Sequence, residues 1–146
     1  MRKSLITTAV LGALAAPSFV FAADAAPASD FTTSGAAGLF SQYIFRGLTQ
    51  TDRRPAVQAN FDINHSSGLY LGIWSSNVSW PRDNYGATPV YSKGGSQEID
   101  VYAGFKTDLG KSGFGIDLGA LQYYYPGKEN PANLGGNPKL NTTELY

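Results

Sequence analysis

Apolar and polar residues alternate one by one along three long stretches of this chain, and this alternation constrains the fold more than any other feature. The stretches are residues 57–64, 98–109 and 114–120. Because successive side chains of a β-strand point to opposite faces, each stretch would form a strand with one apolar and one polar face. No stretch after residue 30 has the spacing of an amphipathic helix. The sequence therefore predicts an all-β fold.

Five strands are predicted, together with a sixth that begins near Thr143. The five cover residues 36–46, 55–65, 68–78, 97–109 and 113–124. Each is close to the roughly 9–11 residues with which a tilted strand crosses a bilayer. The connections alternate in length, since 66–68 and 110–113 are tight turns whereas 79–96 and 126–142 are long. This arrangement predicts an antiparallel up-and-down meander, the N-terminal part of a transmembrane outer-membrane β-barrel whose short turns face the periplasm.

The composition excludes several functional classes. The 11 Lys and Arg residues balance the 11 Asp and Glu residues, so no nucleic-acid partner is expected. The chain has no Cys and a single His, which excludes disulfide scaffolds, thiol catalysis and Cys- or His-rich metal sites. No cofactor is expected. Charged residues make up only 15% of the chain, against about 25% in ordinary soluble domains, and aromatic residues reach 13%.

The N-terminus has the layout of a secretory signal peptide. Arg2 and Lys3 precede a short apolar stretch at 5–16, and a small-residue cleavage site ends at Ala22. The apolar stretch is too short to span the hydrocarbon core. The sequence therefore predicts a signal peptide at 1–22, a flexible lead-in at 23–30 and a partial barrel domain at 31–146, exported to the bacterial outer membrane.

Aromatic residues cluster where the predicted strands approach the long loops. They are Tyr43, Phe45, Trp74, Trp80 and the tyrosines at 123–125. Aromatic side chains at one level on alternate strands predict a girdle at the boundary between water and lipid. Phe61, Phe105 and Phe114 would lie near the opposite boundary. The alternative is a soluble β-sandwich whose core holds these rings.

Several segments resemble the TorF family of proteobacterial outer-membrane porins. The most specific is SQYIFRGLTQT at 41–51, and the others are 55–62, 68–78, 98–105 and 123–127. The resemblance covers nearly all of 31–146. It implies an envelope β-barrel longer than this chain, which reaches Tyr146 just where such proteins begin another strand. We therefore expect a fragment of about five strands that lacks its C-terminal part, because closure requires at least about eight strands.

Charged residues on the polar side of the alternation are the candidate pore lining. Burying a charge in hydrocarbon is costly, so these side chains should point into a lumen, and Arg46 is placed with them. The candidates are Arg46, Asp62, Glu98, Asp100, Lys106, Asp108 and Asp117. They would form either a charged constriction of a passive channel or, in a small barrel, a filled core of ion pairs. Five carboxylates against two cations favour cations and neutral solutes.

Other functions are weighed against the pore. A non-conducting structural or adhesive barrel would also use the long loops. A lipid-modifying enzyme is less expected, because His65 and Ser66 are adjacent and point apart, so we predict no enzyme activity. Arg53 and Arg54 in the first outer loop would hold anionic lipopolysaccharide or an anionic solute, or form a solvated charge cluster. The expected partners are outer-membrane lipid, lipopolysaccharide, small solutes and the barrel assembly machinery, and the oligomeric state stays open.

Overall fold

The computed structural model describes residues 29–83, 88–131 and 140–146, and every regular element in them is a β-strand. The strands are β1 (Phe31–Phe40), β2 (Ile44–Phe45), β3 (Leu48–Thr49), β4 (Ala56–His65), β5 (Leu69–Asn77), β6 (Tyr91–Gly94), β7 (Gln97–Asp108), β8 (Gly115–Tyr124), β9 (Gly127–Glu129) and β10 (Thr142–Leu145). No helix long and apolar enough to cross a membrane occurs in these ranges. The predicted signal peptide and residues 23–28 of the lead-in lie outside them.

Six strands form one antiparallel sheet in the order β1–β4–β5–β7–β8–β10. Each long strand pairs with the next long strand along the chain, which confirms the predicted all-β antiparallel meander. The sheet is open, with β1 and β10 at its two edges. Short strands from the two long loops, β6 and β9, pair with each other, so both loops lie at the same end of the sheet as predicted.

The register separates the two sets of alternating residues. Asp62 lies opposite Gly72, which lies opposite Tyr102, whereas Phe61 and Ile73 are partners on the other face. The apolar face is uncovered by any other described element. Its exposed side chains include Leu39, Val57, Phe61, Leu71, Ile73, Val101, Phe105, Ile116 and Leu118. The sheet thus has one polar face and one exposed apolar face.

The first strand differs from its predicted position. It covers Phe31–Phe40 rather than 36–46, and the chain then turns into the small β2–β3 hairpin. Full pairing with β4, from Phe31 opposite His65 to Phe40 opposite Ala56, sets the real limits. The segment is rich in Gly, Ala, Ser and Thr, so it lacks the hydrophobic contrast that marks the other strands. The four predicted strands that follow begin and end within two residues of β4, β5, β7 and β8.

The aromatic residues near the long loops form a cluster instead of a girdle. Tyr91, Tyr123 and Tyr125 are buried together with Val78, and Tyr43, Phe45 and Trp80 pack against them. Trp74 and Tyr123 both lie beside Asp100 in the register, hence on the polar face. The prediction that these rings form a girdle at the lipid boundary is therefore wrong for this group, except for Tyr124, which is exposed on the apolar face. The reason is that the β2–β3 hairpin and the paired loops fold over the end of the polar face and supply a small core.

Candidate functional site

Tyrosine hydroxyls hold the carboxylates of the polar face. Tyr102 Oη donates a hydrogen bond of 2.5 Å to Asp62, and Tyr70 Oη donates one of 2.6 Å to Asp117. Tyr146 Oη lies 2.7 Å from Tyr70 Oη, so Tyr146, Tyr70 and Asp117 form a connected hydrogen-bonded group. Each bond crosses between strands, so the phenols link β4, β5, β7 and β8 across the face.

Glycines opposite these tyrosines give the rings room. Gly72 is the cross-strand partner of Tyr102, and a Cβ atom at Gly72 would overlap the ring and approach Asp62. Gly104 has the same relation to Tyr70. An added Cβ at either glycine would displace its tyrosine, so the Gly–Tyr pairs set the direction in which each phenol reaches its carboxylate.

Glu98 is the most deeply buried charged side chain of the polar face, with only 1% of its surface exposed. Its Oε1 accepts a hydrogen bond of 3.0 Å from Tyr43 Oη, and its Oε2 accepts one of 2.9 Å from Tyr125 Oη. Burial raises the pKa of both phenols above the ordinary value of about 10, and the adjacent Glu98 carboxylate raises it further. Both phenols therefore stay protonated as donors at neutral pH.

Asp100 lies next to this group and is incompletely satisfied. It is 8% exposed, and its Oδ1 has no hydrogen-bond partner among the described residues. Trp74 and Tyr123 are its cross-strand neighbours. A buried oxygen without a donor is uncommon and marks a place where water or a cation would be stabilised.

The structure brings three predicted site residues together on the half of the polar face that is nearer the tight turns. Asp62, Lys106 and Asp117 line a recess of about 240 Å³ with Tyr70, Tyr102 and Tyr146. Lys106 Nζ lies 5.7 Å from the centre of the Tyr70 ring.

The other predicted residues lie elsewhere. Asp108 lines an adjoining recess with Lys106, Asp117 and His65 at the end with the tight turns. Glu98 and Asp100 lie at the loop end. Arg46 is not in a strand but in the turn between β2 and β3, where it pairs with Glu144 at 3.1 Å.

The sequence allowed a core of ion pairs as the alternative to a charged channel lining. The carboxylates of the polar face do not form such ion pairs among the described residues. The ion pairs seen among the described residues join Arg46 to Glu144 and Arg54 to Asp52 and Asp83. Lys106 and Asp117 are cross-strand partners, yet they form no ion pair within this part of the chain. The sequence did not identify the tyrosines as hydrogen-bond partners of these carboxylates. Tyr102 nevertheless occupies one of the polar-face positions of β7.

His65 and Ser66 do not bond to each other, and the described ranges contain no candidate metal site. His65 Nδ1 lies 2.8 Å from Ser67 Oγ, whereas Ser66 Oγ donates to Asp30. His65 and Ser66 therefore have different partners. Within residues 29–83, 88–131 and 140–146, no three His, Asp or Glu side chains group as a metal site requires.

The loop at 47–54 borders a groove of about 700 Å³ at the loop end. Its lining consists of Phe45, Arg46, Leu48, Thr49, Gln50, Asp52, Arg53, Trp80 and Tyr125. Arg53 lines this groove, whereas Arg54 turns to Asp52 and Asp83 at 3.1 and 3.5 Å. The two neighbouring arginines thus have different surroundings.

Comparison with known protein families identifies a family that this chain matches. Residues 24–146 match the family described as "Bacterial protein of unknown function (Gcw_chp)". No curated protein and no solved structure matches the chain significantly. Because the match covers all but the first 23 residues, the protein belongs to the Gcw_chp family of bacterial proteins.

Proposed function

We propose that this protein is an outer-membrane porin of the TorF type, a passive channel for small solutes that is exported by its signal peptide. The observation that carries the proposal is a six-stranded antiparallel sheet with an uncovered apolar face and a polar face rich in charge. Large exposed apolar patches mark contact with lipid or with another macromolecule. A strand that alternates between apolar and polar side chains suits a barrel wall between lipid and water. Lipid, lipopolysaccharide and the barrel assembly machinery are the partners that follow.

The solutes are proposed to be cations and neutral molecules. Asp62 and Asp117 accept hydrogen bonds from tyrosine hydroxyls on the polar face, and Asp100 lies between Trp74 and Tyr123. Lys106 is the cross-strand partner of Asp117 but forms no ion pair with it in the described part of the chain. A phenol that donates a hydrogen bond leaves the negative charge in place, so the field of the face stays negative. This argument refines the expectation from the sequence, which rested on counting charges alone.

A barrel that conducts nothing is the second candidate. The rings of Tyr70, Tyr102 and Tyr146 lie on the polar face and occupy space that a narrow lumen would need. In a small barrel such side chains fill the interior. The protein would then be a structural or adhesive surface that presents its long loops.

Conductance of the full-length protein in planar bilayers distinguishes these candidates. A porin gives stepwise conductance, and a KCl gradient gives a reversal potential of the sign expected for cation preference. Asp100→Asn should reduce that preference, whereas Asp30→Asn, at the end with the tight turns, should leave it nearly unchanged. Absence of conductance would favour the filled barrel, and an anion preference that persists in Asp100→Asn would contradict the proposed selectivity.

A further inference from the structure

We propose that the groove at the loop end binds a small organic anion that carries an aromatic ring. The groove has a volume of about 700 Å³, within the range of about 300–1,000 Å³ typical of small-molecule sites. The inference does not depend on the porin proposal, because the groove belongs to the loops and would bind its ligand even if the protein conducted nothing.

Aromatic and aliphatic side chains give the groove its apolar part. Phe45, Leu48, Trp80 and Tyr125 line it, and the rings of Trp80 and Tyr125 pack edge to face with centres 5.3 Å apart. Tyr125 is fixed from behind by its hydrogen bond to Glu98. Rings held in this way offer fixed faces and edges against which a flat aromatic ligand packs favourably.

Arginine side chains give the groove a positive rim. Of the charged lining residues, Asp52 is paired with Arg54, and Arg46 is paired with Glu144. Arg53 makes no ion pair with any described residue. Its guanidinium is therefore available to a carboxylate, which matches its planar fork of donors.

Backbone conformation fixes the direction of the charged lining residues. Arg46, Asp52 and Arg53 have φ angles of 49°, 49° and 60°, and they are the non-glycine residues with positive φ in the described chain. All three line this groove. At Arg46 the positive φ belongs to the two-residue turn with Gly47 that joins β2 and β3, whereas Asp52 and Arg53 place two consecutive side chains in the sparsely populated left-handed region.

Hydrogen bonds from buried residues hold this strained loop in place. Thr51 is almost fully buried, and its hydroxyl donates to the Arg54 carbonyl and accepts from the Tyr43 amide. The backbone of Gln50 bonds to Tyr43 and Ser79. The groove is therefore preformed, which lowers the entropic cost of binding.

Tryptophan fluorescence of the full-length protein in detergent tests the proposal. The described domain contains the chain's two tryptophans, so Trp74→Phe leaves Trp80 as its reporter. Benzoate should change this fluorescence saturably, whereas inorganic phosphate and benzyl alcohol, which each supply half of the proposed ligand, should bind at least tenfold more weakly. Phosphate or benzyl alcohol binding as tightly as benzoate would overturn the proposed ligand class, and so would no saturable response to benzoate.

Matched charge-removing variants locate the binding. Arg53→Gln should weaken benzoate binding at least tenfold, and Arg53→Lys should restore part of the loss because it keeps the charge. Lys93→Gln removes one positive charge from β6 at the same end of the sheet, outside the groove lining, and should change the affinity less than twofold. Equal effects of Arg53→Gln and Lys93→Gln, in proteins with unchanged circular dichroism, would overturn the assignment. Conductance in planar bilayers is measured separately, so failure here leaves the porin proposal intact.

Discussion

Glu98 shows how single residues organise the polar face. A carboxylate with 1% exposure needs donors for both oxygens, and Tyr43 and Tyr125 provide one each from different segments. The two tyrosines thereby attach the segment before β2 and the segment after β8 to the start of β7. Glu98 is thus a structural anchor at the loop end, a role that its alternating position in the sequence did not reveal.

Tyr125→Phe should destabilise the folded protein by about 1–3 kcal/mol, because it leaves one oxygen of a buried carboxylate without a donor. Tyr124→Phe is the control, since Tyr124 is 47% exposed on the apolar face. Urea unfolding of the full-length protein in lipid vesicles measures both variants. If Tyr124→Phe lowers the free energy of unfolding as much as Tyr125→Phe does, the hydrogen bond from Tyr125 to Glu98 does not stabilise the protein.

Stability should fall when the pH rises above about 10. The pKa of Tyr43 and of Tyr125 is higher in the folded protein than the ordinary value of 10.0, so the folded state keeps these protons longer than the unfolded state. The resulting stabilisation is fully present below pH 10 and is lost as the pH passes upward through the folded pKa. Phenolate absorbance at 295 nm should show that the Tyr43→Phe, Tyr125→Phe double variant has two fewer tyrosines that ionise only on unfolding than the unaltered protein.

At the scale of the elements, alternation predicted β4, β5, β7 and β8 because each has apolar residues on one face and polar residues on the other. The alternation misplaced β1, because the small residues of this strand differ little in hydrophobicity between its two faces. It placed Asp62, Lys106 and Asp117 on one face, but their closeness depends on the register between strands. The Tyr–Asp pairs also depend on register, since Tyr102 and Asp62 are 40 residues apart.

Gly72→Ala tests how the strands fit together through the Gly–Tyr pairs. The new methyl group would overlap the Tyr102 ring and approach Asp62 Oδ1 at 2.6 Å, so we expect a loss of about 1–3 kcal/mol. The same change in a Tyr102→Ala background should cost much less, because the ring is gone. A double-mutant cycle from urea unfolding measures the coupling, and additive losses would contradict the proposed contact.

At the scale of the whole molecule, the two faces of the sheet define two environments. The apolar face exposes Leu39, Ile73 and Leu118 without cover, while the polar face holds the tyrosine–carboxylate groups. The loops close one end through the β6–β9 pair and the aromatic cluster. This separation is what the proposed membrane location rests on.

Arginine substitutions at neighbouring positions of β4 test the two environments. Phe61→Arg places a charge on the apolar face and should destabilise the vesicle-inserted protein by about 2–4 kcal/mol if that position is near the bilayer midplane. Asn60→Arg places it on the polar face, where the residue already donates to Asp62, and should cost less than about 1 kcal/mol. Folding into vesicles measures both, and equal losses would contradict the assignment of the faces.

The partners of the polar-face carboxylates determine how this face responds to salt. Ion pairs weaken as ionic strength rises, because mobile ions screen the attraction. Hydrogen bonds from neutral phenols to Asp62, Glu98 and Asp117 act at contact distance and have no opposite charge to screen. Added ions would instead reduce repulsion among the carboxylates. The geometry of this face should therefore persist from dilute to saline surroundings.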